Sequence, residues 1–419
     1  MTPGTAAGSP FLLGVNYWPR ASAMAWWSRF DRAAFDDDCA RIAELGMRLV
    51  RLFPLWEEVQ PERDRVDERA LALVDHALDA CAAHGLLAMP TLFTGHMSGV
   101  NWLPAWALDP ATPGGRFRTI SGGRQRACGA GDLYADERLL RAQLLLARRL
   151  AERWRGHPAL FAFDLGNEFS NVREPARPGD AALWSLRLCE ALAPAGVPVT
   201  GGLHGEDLER DRGIRPSTIA RPWALATMHG YAIYSLWSRG RGDAAAVAFL
   251  GAAMRALQGG KPLIFSEWGG PQCPPGTRSP SEYVVLPGQG AGEALAPESR
   301  GADLAPYACY GEEELADYAM AALERLHREG ALGALYWCWS DYDPALAERP
   351  PFDQAPWELR FGLCDARGGL KEIGRRLRTF ARGLPVVQEP RLFDVDETAW
   401  YADPPRALRE AYARYLAEE

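Results

Sequence analysis

Two apolar runs of the chain each end in a glutamate: Phe161-Ala162-Phe163-Asp164-Leu165-Gly166-Asn167-Glu168 and Leu263-Ile264-Phe265-Ser266-Glu267. Their length and apolar composition predict buried β-strands. A carboxylate at such a place is costly to bury, so it is expected to do more than pack. If both runs are strands of one parallel barrel, both carboxyl groups emerge on the same face of the protein.

The rest of the chain alternates short apolar runs with longer segments of helical period, which is the pattern of β/α units around a parallel sheet. Eight runs are predicted as strands, near 11–18, 49–56, 86–93, 160–168, 198–203, 224–231, 262–268 and 333–340. The fifth unit is the weakest, because 206–222 is charged and contains prolines. The sequence therefore predicts an α/β protein built as a (β/α)8 TIM barrel.

The length of the chain leaves room for long loops and an extension. Its 419 residues exceed the roughly 250 of a typical barrel. Long loops follow the third and seventh predicted strands at 94–132 and 269–311, where a barrel builds its site. We predict a catalytic barrel over 1–384 and a C-terminal extension over 385–419 that packs onto it. The sequence leaves the oligomeric state open.

The net charge and the cysteines limit which partners and which cellular compartment are expected. A net charge of −8 argues against nucleic acid or an anionic membrane as a partner and favours a neutral substrate. No apolar run is long enough to span a membrane, and residues 1–10 lack the features of a secretion signal. The eight cysteines form no CxxC pair, which predicts buried, reduced thiols in a cytoplasmic protein. Cys128, Cys273 and Cys309 lie in predicted loops and are left as exceptions.

Polar and aromatic residues gather at the predicted strand exits. They are Arg51, His96, Asn167, Glu168, His229, Tyr231, Glu267, Trp337 and Trp339. Each alone has a structural explanation, such as a histidine that hydrogen-bonds a loop or an arginine that pairs with a buried carboxylate. Six strands that bring such residues to one rim predict a functional site.

In this order the residues give the chain a resemblance to glycoside hydrolase clan A, most closely to family 5, over roughly 11–384. The family has an Arg in strand two, a His after strand three, Asn-Glu ending strand four, His-x-Tyr at strand six, Glu ending strand seven and a Trp in strand eight. The matching residues are Arg51, His96, Asn167-Glu168, His229-Gly230-Tyr231, Glu267 and Trp339. Trp339, which precedes Ser340, matches better than Trp337.

The resemblance implies a retaining β-glycosidase that works by double displacement without a metal or cofactor. Glu267 is then the expected nucleophile, and Arg51 and Tyr231 are suited to keep it ionised. Glu168 is the expected acid/base, with a pKa that falls once the first charge is consumed.

The resemblance also implies a set of substrate-binding residues. Asn167 is expected to bind the sugar 2-hydroxyl, His229 to tune the acid/base, and Trp339 to lie under the sugar. His96 completes the family pattern, and Trp268 lies beside the nucleophile as a candidate surface for stacking.

A β-mannoside or β-glucoside in a short oligosaccharide or glycoside is the favoured substrate, because no carbohydrate-binding module accompanies the barrel. Exo or endo cleavage, and hydrolysis or transglycosylation, stay open. A metal-dependent hydrolase that uses His96, His204 and His229 is an alternative, although Asn16 and Tyr17 stand where strand one would need a His-x-His pair. A sugar-binding barrel without catalysis is the other.

Overall fold

The computed structural model describes residues 7–274 and 309–418. In chain order the β-strands are Leu12–Asn16 (β1), Leu49–Leu52 (β2), Leu87–Pro90 (β3), His96–Met97 (β4), Val100–Trp102 (β5), Leu108–Pro113 (β6), Arg118–Ser121 (β7), Arg124–Arg126 (β8), Cys128–Ala130 (β9), Phe163–Asn167 (β10), Val199–Gly202 (β11), Ala226–His229 (β12), Leu263–Gly269 (β13) and Gly333–Trp337 (β14).

Eight of these strands form the predicted barrel. Six of them pair in parallel in the order β12-β13-β14-β1-β2-β3, and β10 pairs with β11. Single parallel bridges join the two sections, from Thr91 to Asp164 beside β3 and from His204 to His229 between β11 and β12. The prediction of a (β/α)8 barrel is therefore confirmed.

Helices alternate with the barrel strands. In chain order they are Arg32–Glu44 (α1), Trp56–Val59 (α2), Glu68–Ala83 (α3), Glu137–Arg153 (α4), Phe169–Val172 (α5), Pro178–Leu192 (α6), Glu206–Glu209 (α7), Pro216–Ile219 (α8), Ala244–Leu257 (α9), Glu312–Arg328 (α10), Glu372–Arg382 (α11), Glu397–Ala402 (α12) and Pro404–Ala417 (α13). Short 3-10 helices lie at Ala23–Ala25, Trp27–Arg29, Ala105–Ala107, Ala193–Ala195, Ala232–Tyr234, Pro344–Leu346 and Pro356–Arg360.

Local sequence explains where several helices begin. The side chains of Asp31, Asp67 and Asp136 accept hydrogen bonds from the first free amides of α1, α3 and α4. The fifth β/α unit contains only the short α7 and α8, as its charged, proline-containing sequence suggests. Within the described parts of the chain, no helix is both long and apolar enough to cross a bilayer.

The regular strand pairing breaks near the strand exits. Register shifts lie between Asp164 and Asn167 where β10 meets β11, and between Met228 and His229 where β12 meets β13. A third shift lies in β13 just before Trp268. Such bulges re-aim side chains and are common beside active sites. They therefore lie where the candidate catalytic residues leave the barrel.

The segment 94–132 is a folded insertion and not an irregular loop. Its strands form a sheet in the order β4-β5-β7-β8 and a pair β6-β9. Arg118 reaches Asp353 after β14, with Nη1 2.7 Å from Oδ2, and the Gly122 amide donates to Glu57 at 2.8 Å. The insertion thus lies over the barrel mouth. Of the other predicted wall, 269–311, residues 275–308 lie outside the described residues.

Cys273 and Cys309 form a disulfide, with Cα atoms 5.0 Å apart. The general prediction of reduced thiols is therefore wrong for this pair, which consists of two of the three cysteines left as exceptions because they lie in predicted loops. The two cysteines are 36 residues apart in sequence, but the paired Cys273 amide and Tyr310 carbonyl bring them together. The other six cysteines are free, and all except Cys128 are buried.

Changing both Cys273 and Cys309 to serine is expected to lower the free energy of unfolding by about 4 kcal/mol, because a crosslink across 36 residues restricts the unfolded chain. Denaturant titrations with and without reductant measure the loss. The double variant serves as the control, since reductant should not change its unfolding. Titration of eight free thiols in the unfolded wild type would contradict the pairing.

The C-terminal extension contacts the barrel through aromatic side chains. Trp400 Nε1 donates to the Leu208 carbonyl at 2.9 Å, and the Tyr401 hydroxyl donates to the Asp207 carbonyl at 2.7 Å. Farther along, Tyr412 and Tyr415 donate to carboxylates of the barrel segment. The division at residue 384 stays a prediction.

Candidate active site

Arg51 is the centre of a buried network at the strand exits. Arg51 lies in β2, and its side chain is fully buried. Its Nε and Nη2 contact Asp164 Oδ2 at 2.9 and 2.5 Å, and Nη1 donates to Glu267 Oε1 at 2.6 Å. Asn16 and Asn167 accept its remaining hydrogen bonds at 3.1 and 2.9 Å. A guanidinium buried in this way is a fixed positive charge that holds side chains from β1, β10 and β13 in place.

Glu267 lies in β13, and both of its carboxylate oxygens accept hydrogen bonds. Arg51 occupies Oε1, and the Tyr231 hydroxyl donates to Oε2 at 2.8 Å. Burial raises the pKa of Glu267 above its usual value, and the interactions with His229, Arg51 and the Tyr231 hydroxyl offset only part of that rise. Two donors aimed at the same carboxyl group favour its ionised form, which is the form that can act as a nucleophile.

Glu168 directly follows β10 and adopts the left-handed conformation, with φ of 44° and ψ of 47°. Few residues other than glycine adopt it, and such strain gathers at functional sites. A Cβ on Gly202 would lie 2.1 Å from the Gly166 carbonyl oxygen and 3.0 Å from the Glu168 amide. The close approach of β11 therefore requires glycine there and fixes the turn that aims Glu168.

Three histidines surround the Glu168 carboxyl group. His229 Nδ1 lies 3.2 Å from Oε1, while His96 Nε2 and His204 Nδ1 each lie 3.8 Å from Oε2. Asn171 also donates to Oε2, at 3.0 Å. Burial raises the pKa of Glu168, but the interactions with the three histidines, with His204 and His229 foremost, outweigh burial and lower the pKa.

The charge on these histidines decides whether Glu168 can hold a proton. Burial lowers the pKa of His96 to about 4, so its ring is neutral at neutral pH. His96 Nδ1 lies 2.8 Å from Asn101 Oδ1, which leaves a lone pair on the nitrogen that faces Glu168. The Glu168 side chain is 16% exposed, and a bound ligand that excluded solvent from it would favour its neutral form.

The two glutamates share one histidine. His229 Nδ1 is also 3.4 Å from Glu267 Oε1. One carboxylate oxygen of Glu168, one of Glu267 and a His229 ring nitrogen all lie within 4.8 Å of one another. Retaining glycosidases hold their carboxyl groups about 5 to 5.5 Å apart, and inverting enzymes about 6.5 to 9.5 Å. The spacing fits direct attack on a sugar by one carboxylate while the other transfers a proton.

The same three groups could in principle hold a metal ion, but their contacts fit one poorly. Arg51 already places a positive charge on Glu267. Arg212 Nη1 lies 3.0 Å from His204 Nε2; since arginine only donates, this histidine carries its proton on Nδ1, towards Glu168. A dication would have to displace this pattern of donors.

Five of the seven predicted substrate-binding residues meet at this centre. His96, Asn167, His229 and Tyr231 line the cavity above the two glutamates, and Arg51 lies beneath Glu267. Asn167 accepts from Arg51 and donates to the His96 carbonyl at 2.9 Å, so one amide hydrogen is left for a ligand.

The two predicted tryptophans do not reach the cavity. Trp268 follows the inward-facing Glu267, so strand alternation turns it outward, where Nε1 donates to the Ala319 carbonyl at 3.1 Å. Trp339 is buried with its ring 5.4 Å from the Arg41 guanidinium carbon. Trp337 lines the cavity instead. Because β14 ends at Trp337, its alternation does not extend to Trp339.

If the cavity binds a sugar, as the sequence resemblance implies, replacing Trp337 with phenylalanine should lower kcat/KM for a glycoside about tenfold, because part of the apolar surface that lines the cavity is lost. The same change at Trp339 should lower the melting temperature but change kcat/KM by less than about twofold. Steady-state kinetics and thermal unfolding of both variants make the comparison. A larger kinetic effect at Trp339 would restore the sequence-based assignment.

The cavity contains residues that the sequence did not single out for it. They include Ser98, Arg116, Phe117, Asn171, Glu206, Glu209, Tyr234, Glu358 and Phe361. Most lie in the insertion, in α7 or after β14, where no periodic pattern marks a side chain as inward. His204 was noted only as a potential metal ligand.

Comparison with known proteins gives strong matches to structures and one short match to a sequence. No family model matches the chain. The β-galactosidase LacZ of Heyndrickxia coagulans is 27% identical over 145 residues, which make up 34% of this chain and 20% of that protein. The matched segment thus spans a fifth of the length of this curated relative.

Several solved structures match nearly the whole chain. A GH5_18 protein from Streptomyces cattleya, in complex with GlcNAc, has a TM-score of 0.76 at 22% identity, with 99% of this chain and 92% of that chain covered. A GH5_18 variant from Bifidobacterium longum, in complex with Manβ1-4GlcNAc, gives 0.74 at 19%, with 97% and 89% covered. This chain shares their barrel fold. The exo-β-1,4-mannosidase Op5Man5 from Opitutaceae bacterium strain TAV5 gives 0.69 at 22%, with 90% and 60% covered.

Proposed function

We propose that the chain is a retaining β-glycosidase of the glycoside hydrolase family 5 type, with β-mannosides as its first substrates. The observation that carries the proposal is the pair of strand-exit glutamates, which hold oxygens within 4.8 Å of each other beside His229. The sequence resemblance and the matching barrels support the same family. At this spacing a carboxylate can attack the sugar directly, as retention requires.

In the first step a Glu267 oxygen attacks the anomeric carbon. The bond from that carbon to the aglycone oxygen breaks, and Glu168 gives this oxygen its proton. The products are a glycosyl ester on Glu267, a free aglycone and an ionised Glu168. Loss of the charge on Glu267 leaves Arg51 with Asp164 as its carboxylate partner, so the buried cation stays paired.

In the second step Glu168 takes a proton from a water molecule, and the water oxygen attacks the anomeric carbon. The ester bond to Glu267 breaks, which restores both carboxyl groups and releases a sugar of unchanged configuration. A sugar hydroxyl in place of the water would give transglycosylation by the same step. Asn167 is placed to bind the 2-hydroxyl next to the reacting carbon in both steps.

Charge in the cavity favours a neutral glycone. The glutamates at 168, 206, 209, 267 and 358 line it, and Arg116 is the arginine among the lining residues. An anionic glycone such as a uronate would be repelled by these carboxylates. The complexes of the structural neighbours with Manβ1-4GlcNAc and GlcNAc support a β-mannoside before a β-glucoside.

Contacts of the insertion favour cleavage at a chain end. Ser98 contacts Glu358 at 3.0 Å, and Arg118 pairs with Asp353. Arg116 Nη1 lies 2.7 Å from Glu206 on the opposite side. The insertion is thus tied to two other strand-exit segments across the mouth, which favours a pocket over an open groove. An endo-acting mannanase or glucanase is the alternative.

The compartment belongs to the proposal as well. The cytoplasmic location stays a prediction, and the Cys273–Cys309 disulfide counts against it, because such bonds persist mainly in oxidising compartments.

Initial rates on nitrophenyl β-mannoside, β-glucoside, β-galactoside and β-glucuronide test the proposal. We expect the β-mannoside to be turned over fastest and the β-glucuronide not at all. Activity should survive chelation; loss on chelation would favour the metal-dependent alternative. Product analysis on Manβ1-4GlcNAc and longer mannosides separates chain-end from internal cleavage. Inactivity on all of these would leave a sugar-binding barrel.

A further inference from the structure

Glu358 places a third buried carboxyl group in the cavity. It lies on the 3-10 helix Pro356–Arg360 that follows β14, and it is 8% exposed. The Ser98 hydroxyl donates to its Oε2 at 3.0 Å, and the Tyr234 hydroxyl lies 3.5 Å from Oε1. In the described ranges 7–274 and 309–418, no lysine or arginine forms an ion pair with it. The proposed catalytic steps do not use this group.

The position of Glu358 indicates which end of the substrate it faces. Around the barrel β14 is the eighth strand and β10 the fourth, so the two lie opposite each other. Glu168 at the exit of β10 gives its proton to the leaving oxygen and therefore marks the aglycone side. Glu358 after β14, with Trp337 at the end of the same strand, then lies on the glycone side.

A carboxyl group in this setting is suited to bind hydroxyl groups. Burial raises the pKa of Glu358 to about 7, with further contributions from the charges of Glu267 and Glu168. Near neutral pH it can therefore accept hydrogen bonds and, when protonated, donate one. Burying a carboxyl group close to two others is costly without a cation, which points to a ligand as its missing partner.

We propose that Glu358 is a specificity-determining residue that hydrogen-bonds the glycone hydroxyls remote from the anomeric carbon. The inference rests on the proposed glycosidase function and deepens it. A carboxyl group that needs free hydroxyls at this end selects an unsubstituted terminal sugar. Ser98 and Tyr234 then act as positioning residues that orient the carboxyl group.

A cycle of enzyme and substrate changes tests this role. The wild type and Glu358→Ala are compared on the nitrophenyl glycoside that the wild type prefers and on its 4-deoxy and 6-deoxy analogues. Loss of the carboxyl group should lower kcat/KM on the parent glycoside about 10- to 100-fold. On the deoxy sugar that lacks the bound hydroxyl, the same substitution should cost less than about threefold, because the contact is already absent.

Equal losses on all three glycosides would overturn the proposal, because a purely structural role does not depend on one hydroxyl. Glu358→Gln keeps the shape and the hydrogen-bonding atoms, so it should regain part of the lost kcat/KM. If Glu358→Ala fails to fold, the wild type still decides: equal kcat/KM on the parent and both deoxy sugars would overturn the inference. A wild type inactive on every glycoside would instead overturn the glycosidase function, and this inference with it.

Discussion

Replacing Glu267 with glutamine is expected to lower kcat on every β-glycoside by at least about 10⁴-fold, because an amide cannot form the glycosyl ester. The fold should survive, since glutamine has the same size: its carbonyl oxygen can still accept from Arg51, and its amide NH2 can donate to the Tyr231 hydroxyl oxygen. The loss should be independent of the leaving group, because the aglycone of every substrate is expelled in the step that forms the ester. Initial rates with nitrophenyl and dinitrophenyl glycosides measure it.

Trapping the ester identifies the nucleophile directly. A 2-deoxy-2-fluoro glycoside with a dinitrophenyl leaving group slows the second step, so the wild type should gain the mass of one fluorosugar on the peptide that contains Glu267. Glu329→Gln is a matched control: this buried glutamate binds the Tyr415 hydroxyl at 2.9 Å beneath the extension, far from the proposed chemistry. A fluorosugar on another residue, or more than about one per cent residual rate in Glu267→Gln, would remove Glu267 from its role.

The sequence predicts the barrel and the two glutamates because both depend on short-range patterns. An apolar run that ends in Asn167-Glu168 specifies a strand and its exit within eight residues, and the run to Glu267 does the same. Alternation within a strand is equally local, and it correctly turns one residue of each neighbouring pair inward. The same alternation applies to Arg51, because a side chain that points inward from β2 can contact Asp164 and Glu267.

The features that the sequence misses depend on long-range contacts. Where β14 ends decides between Trp337 and Trp339, and no local pattern fixes that end. Glu358 lines the cavity beside an insertion 260 positions earlier in the chain, whose Ser98 donates a hydrogen bond to it. The Cys273–Cys309 bond spans 36 positions, and the spacing of cysteines does not determine which of them pair.

Replacing Glu168 with alanine is expected to reduce activity in a way that depends on the leaving group. The aglycone sugar of a natural disaccharide is a poor leaving group, because without a proton donor it departs as a basic alkoxide. Loss of the proton donor should therefore lower kcat/KM about 10²- to 10⁴-fold on Manβ1-4GlcNAc. Dinitrophenolate needs no proton to leave, so kcat/KM on the dinitrophenyl glycoside should change by less than about tenfold. The second step should still slow for both, because no base remains to activate water.

Azide distinguishes an acid/base from a residue that only supports the site. A small anion can enter the space left by the Glu168 carboxyl group and attack the glycosyl ester without a base, so azide should accelerate Glu168→Ala and yield a β-glycosyl azide. Glu267→Gln forms no ester and should not respond. Asn171→Ala, which removes the 3.0 Å contact to Glu168 Oε2 but keeps the carboxyl group, should lower the rate without azide rescue. An α-glycosyl azide from Glu168→Ala would contradict a retaining enzyme, because it places the attacking anion on the face opposite to the one that Glu168 serves.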